Sequence, residues 1–428
     1  MKLDLVIYGA TGFTGSLAVS YVNSQYAGKG LKWGIGGRSR SKLEVLASKC
    51  SDKPEVLVAD GEDQAALEAM CAKTKVVATC AGPFSRYGRQ LVAACVATGT
   101  DYCDITGEMA FVREMIAQHD DAARKSGARI VHLCGHDSVP WDLSTLMLAK
   151  KLRESGEGEG GGEALKRVDM YTDIRSAPSG GTLETALGIL FGQESKEKKS
   201  PAVKALGFDP LMKLRSPAKG AGGGVGGGSD FKTSARNVAA LSMASSAARA
   251  HPLTREKPHR TYFVMSGVNA NAVKRSNALN GYGPNLTYCE GRCFASYFSA
   301  LLSVSTLAFY GLLLYIPPLR FLMRKFVLPK PGQGPSPEFM ETGYLTVTGV
   351  ATGVSGGRAS SVMKFKVDPG YKDTARMVVE SALTLSLDGV KLADPSGGVF
   401  TPAACQGEAL LDRLCDTGTE FAVTPKNF

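Results

Sequence analysis

Three glycines in the run Leu5-Val6-Ile7-Tyr8-Gly9-Ala10-Thr11-Gly12-Phe13-Thr14-Gly15 stand at the spacing of a phosphate-binding turn. The chemistry on offer is charge placement. The N–H groups that open a helix lack intrahelical partners, and together with the helix dipole they attract an anion. Gly9 permits the tight turn, Gly12 permits close approach of a pyrophosphate, and Gly15 lets the helix lie against the sheet; Thr11, Phe13 and Thr14 complete the loop. A glycine triplet also suits an ordinary strand–turn–helix, so later residues decide between the two. Arg38 lies where the ribose-reading residue is expected, about 20 residues past the loop. An acidic residue there would take the 2′-hydroxyl of NAD(H). Arg38 and Ser39, with Arg40 and Lys42 nearby, suit the 2′-phosphate of NADP(H). NADP(H) is therefore preferred, and NAD(H) stays admissible.

Carboxylates and imidazoles supply the candidate acid–base chemistry. Asp101, Asp104 and Glu108 cluster beside an expected strand end, and His136 and Asp137 follow the expected strand 129–134. Asp104, Glu108 and His136 are the candidate catalytic residues: the carboxylates to orient a substrate or relay a proton, the imidazole because its ordinary pKa lies near neutrality. Capping and domain-junction roles are equally open to all three. His132, Cys134 and His136 would share one strand face, but no fourth ligand accompanies them, and no metal is assigned.

These groups need elements to hold them. Strands are expected at 3–8, 31–39, 56–60 and 76–80, with helices opening near Phe13, at 41–50 and at 63–73. Such alternation means a doubly wound parallel sheet of Rossmann type, which binds ligands at the carboxyl ends of its strands. Asp60, Gly82 and Pro83 fall at those ends and are assigned to the cofactor. The expected division is a cofactor domain over residues 1–145 and an α+β domain for substrate or dimerisation over 146–428. The second would carry flexible Gly-rich loops at 156–162 and 193–230, a strand at 168–175, a turn at 179–182 and a helix at 183–191. Paired strands at 341–350 and 359–367 and a helix at 374–387 follow.

The 428 residues are enough for two cores. Fifty Lys and Arg against 40 Asp and Glu leave a net charge of +10, which fits an anionic cofactor or membrane surface. The basic residues are dispersed and no recognition motif accompanies them, so nucleic acid is not expected as a partner. Ten cysteines without a C-x-x-C pair favour a reducing compartment. Residues 2–8, with Asp4, are needed as a strand, so no cleaved signal peptide is expected. A short-chain dehydrogenase would need Tyr and Lys four residues apart, and no Tyr here has Lys at that position.

The glycine loop, Gly37-Arg38-Ser39, Gly82-Pro83-Phe84 with Tyr87-Gly88, residues 100–108, residues 134–143 with His136, Ser179-Gly180-Gly181-Thr182 and residues 397–403 together resemble the saccharopine dehydrogenase-like oxidoreductases. That family includes trans-acting enoyl reductases. The resemblance implies a nicotinamide-dependent reductase and, because some members associate with membranes and lipid droplets, a lipid surface.

Residues 294–316 form a run of 23 residues without a charge, followed by Pro317, Pro318, Arg320, Arg324 and Lys325. The length would span a bilayer. A crossing, however, would put the later strands opposite the cofactor domain, so an interfacial anchor is expected, with a buried helix or oligomer contact as the rival. The resulting expectation is an NADP-preferring reductase on the cytosolic face of a membrane or lipid droplet. It would act on an apolar or lipid enoyl or carbonyl acceptor, with homo-oligomerisation open. The alternatives are a saccharopine-type imine oxidoreductase and a non-catalytic lipid-droplet protein.

Overall fold

The computed structural model describes residues 2–155, 162–177, 200–212, 232–233, 242–243, 252–328 and 334–425. The expected turn at 179–182, the helix at 183–191 and most of the two Gly-rich loops lie outside them.

β1 (Leu5–Tyr8), α1 (Phe13–Tyr26), β2 (Trp33–Gly37), α2 (Arg40–Ser48), β3 (Glu55–Val58), α3 (Gln64–Cys71), β4 (Val76–Thr79), α4 (Phe84–Thr98), β5 (Asp101–Asp104), α5 (Met109–Ser126) and β6 (Arg129–Val131) alternate along the chain. Then come α6 (Val139–Glu154), β7 (Leu165–Arg175), α7 (Pro201–Leu206), β8 (Lys232–Thr233), β9 (Ser242–Met243), α8 (Pro252–Glu256), β10 (His259–Thr261), α9 (Ser266–Asn280) and β11 (Thr287–Phe294). The chain continues through α10 (Tyr297–Tyr315), α11 (Pro317–Phe326), α12 (Pro337–Glu341), β12 (Tyr344–Gly353), β13 (Arg358–Phe365), α13 (Lys372–Leu387), β14 (Gly398–Phe400), α14 (Pro402–Cys405), α15 (Gly407–Asp416) and β15 (Glu420–Pro425).

The first sheet has the order β14-β6-β5-β4-β1-β2-β3 and is parallel throughout. Its central strands β1 and β4 are buried on both faces because helices cover both. In β1, Leu5 and Ile7 enter one core with Val19, Val378 and Leu383, while Val6 and Tyr8 enter the other with Leu91, Tyr102 and Phe111. One strand thus feeds two layers.

The sequence division at residue 145 needs amendment. β14 adds the seventh strand to the first sheet, and α13 packs across α1, β4 and β5. The α1–α13 seam is polar at one point: Glu380 accepts from Tyr21 Oη (2.6 Å), Tyr26 Oη (2.7 Å) and Arg413 Nε (2.9 Å). A fully buried carboxylate survives because three donors replace water. The carboxylate pushes both tyrosine hydroxyls above their ordinary pKa, after burial itself.

The second sheet has the order β15-β13-β12-β7-β11-β10-β9, with β8 beside β11. β7 pairs with β11 in parallel and with β12 antiparallel. α6 runs from the edge of the first sheet onto β12 and β13 and joins the two layers; Trp141, Leu148 and Leu152 pack there with Val168, Val347 and Met363. Within the expected loop 193–230, α7 packs on α5, and Arg113 holds Asp209 at 3.0 Å.

α10 and α11 form a hairpin between β11 and β12, two strands of the same sheet. Phe298, Phe309, Tyr315, Phe321 and Phe326 are each more than half exposed, and within α10 only Ala300 is buried. A buried core helix is excluded by this exposure. α10 is long and apolar enough to cross a membrane, and both ends of the hairpin return to one sheet.

Candidate active site

Gly9 adopts φ +75°, and a Cβ there would lie 2.9 Å from the Ala81 backbone nitrogen; a Cβ on Gly15 would run into the Gly9 carbonyl. The turn closes through Gly12 N–H to the Gly9 carbonyl (3.0 Å), and no side chain caps the helix that follows. Thr11 and Gly12 are exposed, and Phe13 and Thr14 are half-buried. The first amides of α1 therefore face outward without a side-chain acceptor, as an anion site requires.

Arg38 and Ser39 leave the carboxyl end of β2, and Arg38 is exposed. Thr11, Ser16, Ser41, Lys42 and Lys49 line an open cleft of about 380 Å³ beside the turn. Asp60, just beyond β3, accepts Glu62 N–H at 3.0 Å. Burial and Asp60 push the Tyr8 phenol up to about 12 while Arg38 pulls it down, so both charges act on the hydroxyl at the end of β1. NADP(H) fits these residues: the opening of α1 would hold the pyrophosphate, and Arg38, Ser39 and Lys42 the 2′-phosphate. When bound, its reduced nicotinamide supplies a hydride.

A roof closes over the turn. Phe13 meets Tyr371 edge-on at 5.3 Å, and Gly334 lies so close to the Phe13 ring that a Cβ would collide with it.

At the carboxyl ends of β4 and β5, Glu108 accepts Phe84 N–H (2.7 Å) and Ser85 N–H (2.9 Å). These are orphan donors of α4, whose N-cap is Pro83, so Glu108 fixes the Gly82-Pro83 turn from a neighbouring loop. Asp104 is fully buried. Its Oδ1 accepts Thr106 and Leu133 N–H, and its Oδ2 receives Tyr102 Oη at 2.9 Å and lies 2.6 Å from His132 Nδ1. The geometry of both expected catalytic carboxylates is that of positioning groups.

β6 ends at Val131, and Leu133 turns to φ +68°. The expected alternation of His132, Cys134 and His136 on one strand face therefore breaks, and His132 points instead to Asp104. His136 is buried, with its backbone N–H on Thr374 Oγ1 (3.0 Å) and its ring 5.0 Å from Trp141. Burial pushes its pKa down to about 3, which favours the neutral imidazole.

Beside it lies a group the sequence reading missed. Glu290 on β11 accepts Asn269 Nδ2 and Tyr288 Oη, each at 2.9 Å, and burial pushes it up to about 8, with Asp137 adding to the rise. Asp137 itself is pushed up to about 7 by burial. The one signal available was a carboxylate in the middle of the strand-like Tyr288-Cys289-Glu290-Gly291.

Residues 5–131 match the saccharopine dehydrogenase NADP binding domain family. A Mycobacterium tuberculosis protein with the provisional name trans-acting enoyl reductase is 37% identical over 440 residues, covering 99% of this chain and 98% of its own. A trans-acting enoyl reductase of Mycobacterium bovis is 34% identical over 440 residues, with the same two coverages. The fold is similar to apo saccharopine dehydrogenase (L-Glu forming) from Saccharomyces cerevisiae, with a TM-score of 0.52, 12% identity and 99% of both chains covered. With the glycine turn, the basic end of β2 and the full-length likeness together, the chain belongs to the saccharopine dehydrogenase-like NADP-binding oxidoreductases, the family of the trans-acting enoyl reductases.

Proposed function

We propose that the protein is an NADPH-preferring reductase that saturates an enoyl-type or carbonyl lipid acceptor at the cytosolic face of a membrane or lipid droplet. The single observation that carries this reading is the continuity of one chain from the nucleotide turn to an exposed apolar hairpin. α10 presents 19 residues, about 28 Å of helix, with aromatic and aliphatic side chains outward. α11 follows with Lys325 against the rings of Phe321 and Phe326, an arrangement suited to a headgroup layer. The full-length likeness to proteins named enoyl reductase favours a carbon–carbon double bond as acceptor.

In this reading the residues around β4–β6 position the acceptor. Glu108 fixes the Gly82 turn, Asp104 ties the loops after β5 and β6 together, and Trp141 and Phe263, 5.6 Å apart, form an apolar wall. A saccharopine-type imine would need free cations for its carboxylates. The buried Arg275 is bonded to the Pro210 and Val399 carbonyls instead, and Arg113 to Asp209. Oxidation of NADPH against an enoyl thioester in vesicles and against a soluble amino-acid imine separates the two. The proposal expects turnover with the first, and turnover with the second alone would overturn it.

A further inference from the structure

Orphaned polar atoms are unevenly distributed over the described residues. Of twelve buried side-chain nitrogen or oxygen atoms without a hydrogen-bond partner, three belong to consecutive residues in the loop from β6 to α6, His136 Nδ1, Asp137 Oδ1 and Ser138 Oγ, and a fourth, Asn269 Oδ1 on α9, belongs to the residue that holds Glu290, a carboxyl within electrostatic reach of Asp137. Each such atom costs about 1–3 kcal/mol if nothing pairs with it. A concentration of them at the carboxyl edge of a parallel sheet marks the place where a bound group would supply the missing partners. Asn269 is fully buried and reaches Glu290 with its other amide atom, so the orphan lies inside the carboxyl cluster.

Asp137 is the member of this cluster open to a ligand. Its side chain is 23% exposed although Oδ1 is enclosed, so its exposure lies elsewhere on the side chain. The groups that act on it are His136 on its own loop, with Nε2 at 3.8 Å from Oδ1, and Glu290 on β11. Tyr288 and Asn269 hold Glu290 in place. No cation among these neighbours offsets the burial.

We propose that Asp137, backed by Glu290, is the catalytic acid that protonates the substrate during reduction. This rests on the reductase reading above. The acceptor double bond takes hydride from the nicotinamide cofactor at one atom, and its π pair moves to the other. That atom forms a bond to hydrogen as the Asp137 O–H bond breaks. Asp137 is left as a carboxylate and regains its proton from solvent after product release. Burial, which keeps Asp137 near neutrality, makes the acid form available at physiological pH.

The test begins on the cofactor-free protein. Difference infrared spectra of wild type against Asp137→Asn should show a carboxyl that titrates near pH 7 in wild type alone. NADPH affinity, read by fluorescence, should stay within twofold in the variant. With trans-2-dodecenoyl N-acetylcysteamine thioester in mixed micelles, Asp137→Asn should lower kcat about 100-fold or more. Asp137→Ala should recover part of the rate when formate is added, which a structural role would not produce. A variant that keeps its rate, or a wild type with no carboxyl titrating near neutrality, overturns the proposal and leaves the reductase reading standing. Normal NADPH binding and the near-neutral carboxyl, without turnover of either enoyl or carbonyl thioester, overturns the reductase reading and the proton donor with it.

Discussion

His132 Nδ1 lies 2.6 Å from Asp104 Oδ2, and both side chains are completely sealed from water. Tyr102 and Phe111 stand edge-on to the imidazole at 5.7 and 5.4 Å, so the pair is held on all sides. The same carboxylate binds backbone amides on the loops after β5 and β6, which makes Asp104 the joint between these two loops. Asp104→Ala should cost about 3–5 kcal/mol in urea unfolding, because it strands two buried side-chain groups and two amides. A loss below about 1 kcal/mol would show that the loops hold their places without it.

Arg38 makes no ion pair among the described residues, and its charge reaches Tyr8 at the end of β1. An exposed guanidinium just beyond the carboxyl end of β2 is suited to a phosphate dianion. NADPH should bind at least several-fold more tightly than NADH to wild type, and Arg38→Ala should bring the two affinities together in calorimetric titrations. Equal affinities in wild type would remove the cofactor preference.

Glu290 carries a pH signature. Its folded pKa of about 8 lies above the ordinary 4.5, so the folded state binds this proton more tightly than the unfolded state does. The stabilisation is therefore complete below pH 4.5 and is lost as pH rises through 8. Gln at this position resembles the protonated acid and does not titrate. Relative to wild type, Glu290→Gln should gain at least about 2 kcal/mol of stability between pH 5 and pH 8, by urea unfolding at both values. Parallel pH profiles would contradict the burial argument.

The hairpin makes a separable prediction, since its apolar residues contribute little to either core. Phe298 is 73% exposed and Phe309 58%. The double substitution Phe298→Ser with Phe309→Ser should weaken flotation with phospholipid vesicles about tenfold or more, while thermal unfolding shifts by no more than a few degrees. Unchanged flotation would move the lipid contact elsewhere.

What the sequence disclosed follows from the range of its signals. The nucleotide half was legible because each step was local: an apolar run, glycines where a Cβ cannot fit, then a helix, in repeating order. The return of β14 to the first sheet was not, because Gly398–Phe400 is a three-residue strand whose partner, β6, lies more than 260 residues upstream. Asp104 closes β5, and Glu108 and His136 follow β5 and β6 by four and five residues, but their hydrogen-bond partners come from other parts of the chain. Glu290, Asn269 and Tyr288 carry no motif. They meet only when α9 packs against β11, and that packing is a tertiary event without a local signature.

The central claim, reduction of a lipid acceptor by a nicotinamide enzyme at a membrane surface, is tested most directly by isotope transfer. Purified protein is incubated with NADPH deuterated at C4, in each stereochemical form, together with a total lipid extract in vesicles, and the products are read by mass spectrometry. The expected product is a saturated or reduced lipid carrying one deuterium from one of the two forms, absent when NADPH is omitted. Intact NADPH binding and vesicle association with no deuterium in any lipid would contradict it.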